Sequence, residues 1–169
     1  MANEARWLND EEQEMWRAML ATFRKINRAM DETLLAGSDL SSSEFAVLVT
    51  LSEAEDCQLR LRDLCLGLDW DRSRTSHQIT RMERRGLVTK RKSPGDARGV
   101  VVSLTDEGMR RLEQAAPEHV ESVRRLVFDH MHQDDVASLK RFMKGVEAVN
   151  NVPGTPGFSG ALVVNPPKK

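Results

Sequence analysis

Within residues 70–99, nine basic side chains (Arg72, Arg74, Arg81, Arg84, Arg85, Lys90, Arg91, Lys92 and Arg98) stand against only three acidic ones, Asp71, Glu83 and Asp96. This stretch therefore carries +6 in a chain whose overall charge is −1, and the remainder must hold −7. Clustered guanidinium and ammonium groups displace counterions from phosphates, and an acidic remainder turns that face toward a polyanion. Residue type points the same way. Arginine matches the paired acceptors of guanine in the major groove, and small hydroxyls match either donors or acceptors. Arg72, Ser73, Arg74, Ser76 and His77 meet that demand at the start of one segment, while Arg81 and Arg85, further along, suit phosphates. The chemistry is that of double-stranded DNA contact. Catalysis is not expected, because the chain carries no Gly-rich phosphate loop, no nucleophile elbow and no His-carboxylate pairing at useful spacing.

These side chains need an element to present them. Residues 71–85 read as a helix with Ile79 and Met82 turned inward, a polar face that includes Thr75, and Gly86 as its stop. Apolar spacing then changes to a period of about two. Residues 87–92 and 100–104 form two strands around the turn chemistry of Ser93-Pro94-Gly95-Asp96, which makes a hairpin. A basic ribbon of this kind can lie along the DNA backbone and place one arginine in the minor groove. Arg98 is the candidate, with Asp96 placed to hold its guanidinium and Lys90, Arg91 and Lys92 on the adjoining strand.

Before the reader come three expected helices. The first covers residues 9–35, with Met15, Met19, Phe23, Ile26, Met30 and Leu34 on one stripe and Gly37 with Ser38 and Asp39 at its stop. The second is capped by Ser41 or Ser42, with Phe45, Leu48 and Leu51 inward, and ends near Glu53. The third is a short helix over residues 61–67, ended by Gly67. After the hairpin a helix begins at Thr105-Asp106-Glu107 and must kink or locally break at Pro117. A last helix covers residues 134–149, with Val136, Leu139, Phe142, Met143 and Val146 inward. The architecture expected is mainly α with a small β component (α+β): a winged helix-turn-helix over residues 39–105, and a dimerisation region built from the long terminal helices, residues 9–38 and 106–150. Their apolar stripes exceed what a centre of this size covers, so a homodimer is expected. Residues 151–169, rich in Pro and Gly, read as a disordered tail.

At 40% hydrophobic and 30% charged residues the composition excludes a membrane span, and with no secretion signal in evidence a cytoplasmic location is expected. Cys57 and Cys65, read as flanking the third helix, lack the spacing of a disulfide framework or zinc site. Redox sensing through them is a secondary reading, alongside a winged-helix adaptor for a protein partner. His130 and His132 with Asp129 and Asp134 do not share one helix face, so no metal or other cofactor is expected.

The run Trp70-Asp71-Arg72-Ser73-Arg74-Thr75-Ser76-His77-Gln78-Ile79-Thr80-Arg81-Met82-Glu83-Arg84-Arg85-Gly86-Leu87-Val88 resembles the recognition helix of the MarR family and its exit into the wing. Asp96-Ala97-Arg98-Gly99 resembles that family's wing signature, and Leu104-Thr105-Asp106-Glu107-Gly108 the entry to its fifth helix. The resemblance covers nearly all of residues 10–150, with Ser76-His77 standing where Thr-Arg is frequent. It implies a homodimer on a pseudopalindromic operator, commonly a repressor, with DNA contacts from Ser73, Arg74, Ser76, His77, Arg81, Asp96 and Arg98. It also implies a cavity for small aromatic or phenolic acids between the dimerisation helices and the DNA-binding lobe. In this chain the matching region holds Trp16, Met19, Phe23, Phe45 and Val49.

Overall fold

The structure is a computed structural model that describes residues 6–93, 96–155 and 157–158. The elements are α1 (Asp10–Ser38), α2 (Ser42–Ser52), β1 (Gln58–Arg60), α3 (Leu61–Leu68), α4 (Arg72–Arg84), β2 (Val88–Ser93), β3 (Asp96–Leu104), α5 (Asp106–Leu126) and α6 (Gln133–Glu147). Two compact units result, Leu20–Leu126 and a second made of Met1–Met19 with Val127–Lys169.

The core of the Leu20–Leu126 unit follows from the helical stripes. Leu34 of α1, Leu48 and Leu51 of α2, Leu64 of α3, and Ile79 and Met82 of α4 form one buried cluster, closed by Leu87, Val88 and Val102 of the hairpin. Burying an aliphatic side chain of this size contributes roughly 1.5–3 kcal/mol. β1 was not expected. It is only three residues long, too short to show a period, and it pairs antiparallel with β3 so that the sheet order is β1-β3-β2. Cys57 precedes it at the end of a short 3-10 turn with a left-handed φ of 52°, whereas Cys65 lies inside α3 rather than beside it; both are free and half-buried.

α1 ends at the expected Gly37-Ser38-Asp39 stop, where Asp39 takes a left-handed φ of 53°. Two other helices differ from expectation. α3 continues one residue past Gly67, and its left-handed cap is Asp69 (φ 51°), with the Trp70 amide donating to the Cys65 carbonyl at 3.0 Å. Aspartate tolerates that conformation better than most residues, so a glycine is not required. Pro117 does not break α5, which spans it as a single 21-residue helix with the proline exposed. The cost is one missing bond to the Glu113 carbonyl. Other signals held: Ser41 caps α2 in a capping box with Glu44, and Gly86 ends α4 at φ 73°.

In the other unit, Asn9 and Glu12 cap the start of α1 reciprocally, at 2.9 and 2.8 Å. The expected inward stripe of α6 is not covered within the chain. Val136, Phe142, Met143 and Val146 are exposed, as are Met15, Trp16 and Phe23 on α1. A single amphipathic helix cannot bury its own stripe without a second apolar surface. The described part of the tail forms turns, with the Thr155 amide donating to the Val152 carbonyl at 3.2 Å, and Pro156 and residues 159–169 lie outside the described residues. Among the described residues no single helix is long and apolar enough to cross a membrane.

Candidate nucleic-acid interface

The α4 helix starts at a side-chain cap: the Asp71 carboxylate accepts from the Arg74 amide at 2.8 Å. Capping by aspartate stabilises a helix start by about 1 kcal/mol and sets the first turn in register. From that turn Arg72, Ser73, Arg74, Ser76 and His77 all project to solvent, followed by Arg81 one turn on. The Arg74 guanidinium lies 4.2 Å over the Trp70 ring, which limits its rotamers before any partner arrives. Arg81 bonds to the Gln78 side-chain oxygen on the same helix.

Two members of the polar run are engaged by partners within the fold. Thr75 is fully buried, and its hydroxyl donates to the Asp71 carbonyl at 2.9 Å, so it belongs to the helix rather than to the reading face. Arg85 is the larger correction. Its guanidinium donates to both Glu44 carboxylate oxygens at 2.8 and 2.9 Å and to the Asp39 carbonyl and carboxylate at 2.7 and 2.8 Å. All of these bonds tie the end of α4 to the α1–α2 corner, and none points to a phosphate. Arg111 of α5 joins the same corner through the Ser38 carbonyl at 2.8 Å. Spacing along a helix could not reveal this, because the partners lie 41 and 46 residues away.

On the hairpin, Lys90 pairs with Glu83 at 2.9 Å and donates to the Thr80 hydroxyl at 3.1 Å, bracing the wing strand against α4. Arg91 reaches Gln58 of β1, and Lys92 is exposed. Asp96 starts β3 with its Cα opposite Ser93, and Arg98 follows on the same strand; the side chains of both, and the turn at Pro94-Gly95, lie outside the described residues. Counting charge from residue 70 onward missed Arg60 and Arg62. These exposed arginines at the β1–α3 junction join Arg72, Trp70 and Val100 around a cavity of about 620 Å³ beside the start of α4. The Arg60-Leu61-Arg62 alternation was the available signal.

A second cavity, of about 400 Å³, opens among α1, α2 and α5, lined by Met30, Leu34, Phe45, Ala46, Val49 and His119 among others. Phe45 and Val49, two of the residues singled out for a ligand cavity, are in this lining. Phe23 is not in this lining and is exposed, and Trp16 lines a separate pocket with Trp7, while Met19 is half-buried. The His119 ring packs on Phe45 with centroids 4.4 Å apart. Burial holds its imidazole below the ordinary value.

Comparison with known proteins gives the family. A MarR family profile matches residues 38–99, which contain the α2–α4 core and the basic hairpin. The structure of AbsC, a MarR family transcriptional regulator from Streptomyces coelicolor, is 36% identical, with a TM-score of 0.80 over 84% of this chain and 95% of that one. The chain belongs to the MarR family. Sco3205, a family member from the same organism solved in complex with DNA, is 32% identical, with a TM-score of 0.85 over 91% of this chain and 96% of that one. Among curated proteins, the transcriptional repressor YetL of Bacillus subtilis is 29% identical over 110 residues, 65% of this chain and 65% of YetL, so that match spans just under two thirds of the relative's length. The MarR family consists of transcription regulators rather than enzymes, and the winged helix-turn-helix described above is its fold.

Proposed function

We propose that this MarR-family chain is a sequence-specific DNA-binding regulator that acts as a homodimeric repressor on a pseudopalindromic operator. The observation that carries the reading is the single exposed face of α4, where Arg72, Ser73, Arg74, Ser76, His77 and Arg81 stand together on a capped helix beside a basic hairpin. Such a helix fits the major groove, with its first turns toward base edges. The wing, with Lys92 and Arg98, follows the backbone, and Arg60 and Arg62 add phosphate contacts at the α3 corner. Lys90 and Arg91 brace the wing more than they bind through it, since their charges already face Glu83 and Gln58. The exposed apolar stripes of α1 and α6 serve as the dimer surface, in keeping with a dimerisation region at residues 9–38 and 106–150. An aromatic ligand in the cavity against α1, α2 and α5 shifts the spacing of the two reader helices away from the groove repeat of about 34 Å and releases the operator.

The test is selection of genomic fragments by the purified protein, followed by titration against the selected duplex at several salt concentrations. A recurring two-fold symmetric sequence and a steep fall of affinity with salt are expected, about 0.9 in log-log slope per phosphate contact. Arg74→Ala and His77→Ala should change the preference among operator variants, while Lys92→Ala and Arg62→Ala should weaken all of them alike. Binding that ignores salt would instead point to a protein-binding adaptor.

A further inference from the structure

Trp70 stands just before the Asp71 cap of α4, and the fold fixes both its backbone and its ring. Its amide donates to the Cys65 carbonyl at 3.0 Å, behind the left-handed Asp69, and its half-buried side chain packs against the hydrophobic core. Asp71 in turn accepts from the Arg74 amide at 2.8 Å, which sets where the Arg74 side chain leaves the helix. The Arg74 guanidinium then lies 4.2 Å over the Trp70 ring, so the platform beneath it belongs to the core. Stacking on an aromatic face engages the plane of a guanidinium and leaves the N–H donors along its edge for another partner. Among the described residues those donors have no acceptor, whereas Arg81 already bonds Gln78 and Arg85 is held by Glu44.

Helix stability does not account for this arrangement. Arg72 and Arg74 place cations in a first turn of α4 that holds no acidic residue, where they oppose the positive end of the helix dipole. What the stack supplies is order. An exposed arginine samples many rotamers, and a partner that binds it must offset the loss of that freedom. A guanidinium already held over Trp70 loses less, and its edge has the shape that matches the O6 and N7 acceptors of guanine. Fixing it also sharpens the choice of base. A loosely held arginine can turn to a phosphate or a neighbouring base, while a fixed one is left unpaired by the wrong base.

We propose that Trp70 is a positioning residue for operator recognition: it touches no base itself, and by stacking under Arg74 it aims that guanidinium at one guanine in each half-site. The proposal rests on the reading of α4 as the base-reading helix and adds to it a residue that lies before the helix. The experiment uses the full chain, the selected duplex and duplexes in which each half-site base pair is changed in turn, titrated with the wild type, Arg74→Ala, Trp70→Met and Trp70→Phe. Discrimination is read as the ratio of affinities for two duplexes from one preparation, so a lower folded fraction cancels, and urea midpoints record the stability of each variant. Arg74→Ala should remove discrimination of at least about tenfold at one G·C pair. Trp70→Met, which keeps bulk and removes the π face, should cut discrimination at that same pair at least about threefold, with the salt slope and the other pairs unchanged. Trp70→Phe should retain most of it, and Trp70→Met in the Arg74→Ala background should bring no further change there. If Arg74→Ala alters the preference while Trp70→Met does not, or weakens every duplex alike, α4 remains the reader and the positioning role falls. It falls too if Trp70→Phe is as impaired as Trp70→Met, or if the losses from Trp70→Met and Arg74→Ala add, which would make Trp70 a DNA contact in its own right. A chain that binds no duplex selectively, or an Arg74→Ala variant with wild-type preferences, would overturn both readings.

Discussion

At the scale of single residues, the same side-chain type does different work depending on what faces it. Arg72 and Arg85 both look like DNA-facing arginines in a basic run, but the Arg85 guanidinium is taken up by carboxylates of the fold. Arg85 holds Glu44, which is 6% exposed, together with Asp39. Removing the guanidinium leaves a buried carboxylate without its cation, so Arg85→Ala should lower stability by about 2 kcal/mol, read as a drop in the urea midpoint. Its salt slope for DNA binding should match the wild type, whereas Arg62→Ala should flatten that slope by about one contact. His119 yields a pH prediction. Its imidazole binds a proton less readily in the fold than at the ordinary value of 6.5, because burial penalises the cation. Below that value the unfolded chain holds more protons, so stability rises with pH through this window and is lost on acidification. The urea midpoint of the wild type should therefore fall between about pH 7.5 and pH 5.5, and His119→Phe should show a smaller fall.

Elements are joined here at a few close approaches. Gly108, in the first turn of α5, lies so near the start of β2 that a Cβ would come within 2.2 Å of the Leu87 carbonyl oxygen. Backbone cannot yield there as a flexible side chain could. Gly108→Ala should therefore cost on the order of 2 kcal/mol and weaken DNA binding by moving the wing, measured by denaturation and by operator titration. The α1–α2 corner plays a comparable part. Asp39, Glu44 and Ser38 there receive Arg85 from α4 and Arg111 from α5, so the reader helix and the long α5 share one anchor. A ligand that moves α1 or α5 against α2 has a direct mechanical route to α4.

At the scale of the whole molecule, the proposed homodimer is the arrangement that covers apolar surface left exposed on the single chain. Phe142 and Met143 are about half exposed on α6, at 48% and 52%, which is costly for large apolar groups unless a second surface meets them. Phe142→Asp should convert a dimer to a monomer in sedimentation, and the monomer should bind a two-half-site duplex far more weakly than the wild type. An unchanged sedimentation coefficient would remove α6 from the interface.

Much of this was legible along the chain because it depends on near neighbours. Helical stripes such as Leu48 and Leu51, or Ile79 and Met82, repeat at the period of the helix, and the caps at Ser41 and Gly86 act within one turn; the charge excess of residues 70–99 is a local count. What needed three dimensions was whatever joins distant residues. β1 exists only because β3 offers it a partner, Thr75 is buried because α4 packs on a core drawn from six other elements, and Arg85 is turned away from the reading face by carboxylates 41 and 46 residues upstream. Phe45 and His119 belong to the same class. Each is ordinary in its own segment, and only the packing of α2 against α5 brings the two to one cavity, because long-range contact, unlike periodicity, leaves no trace in spacing.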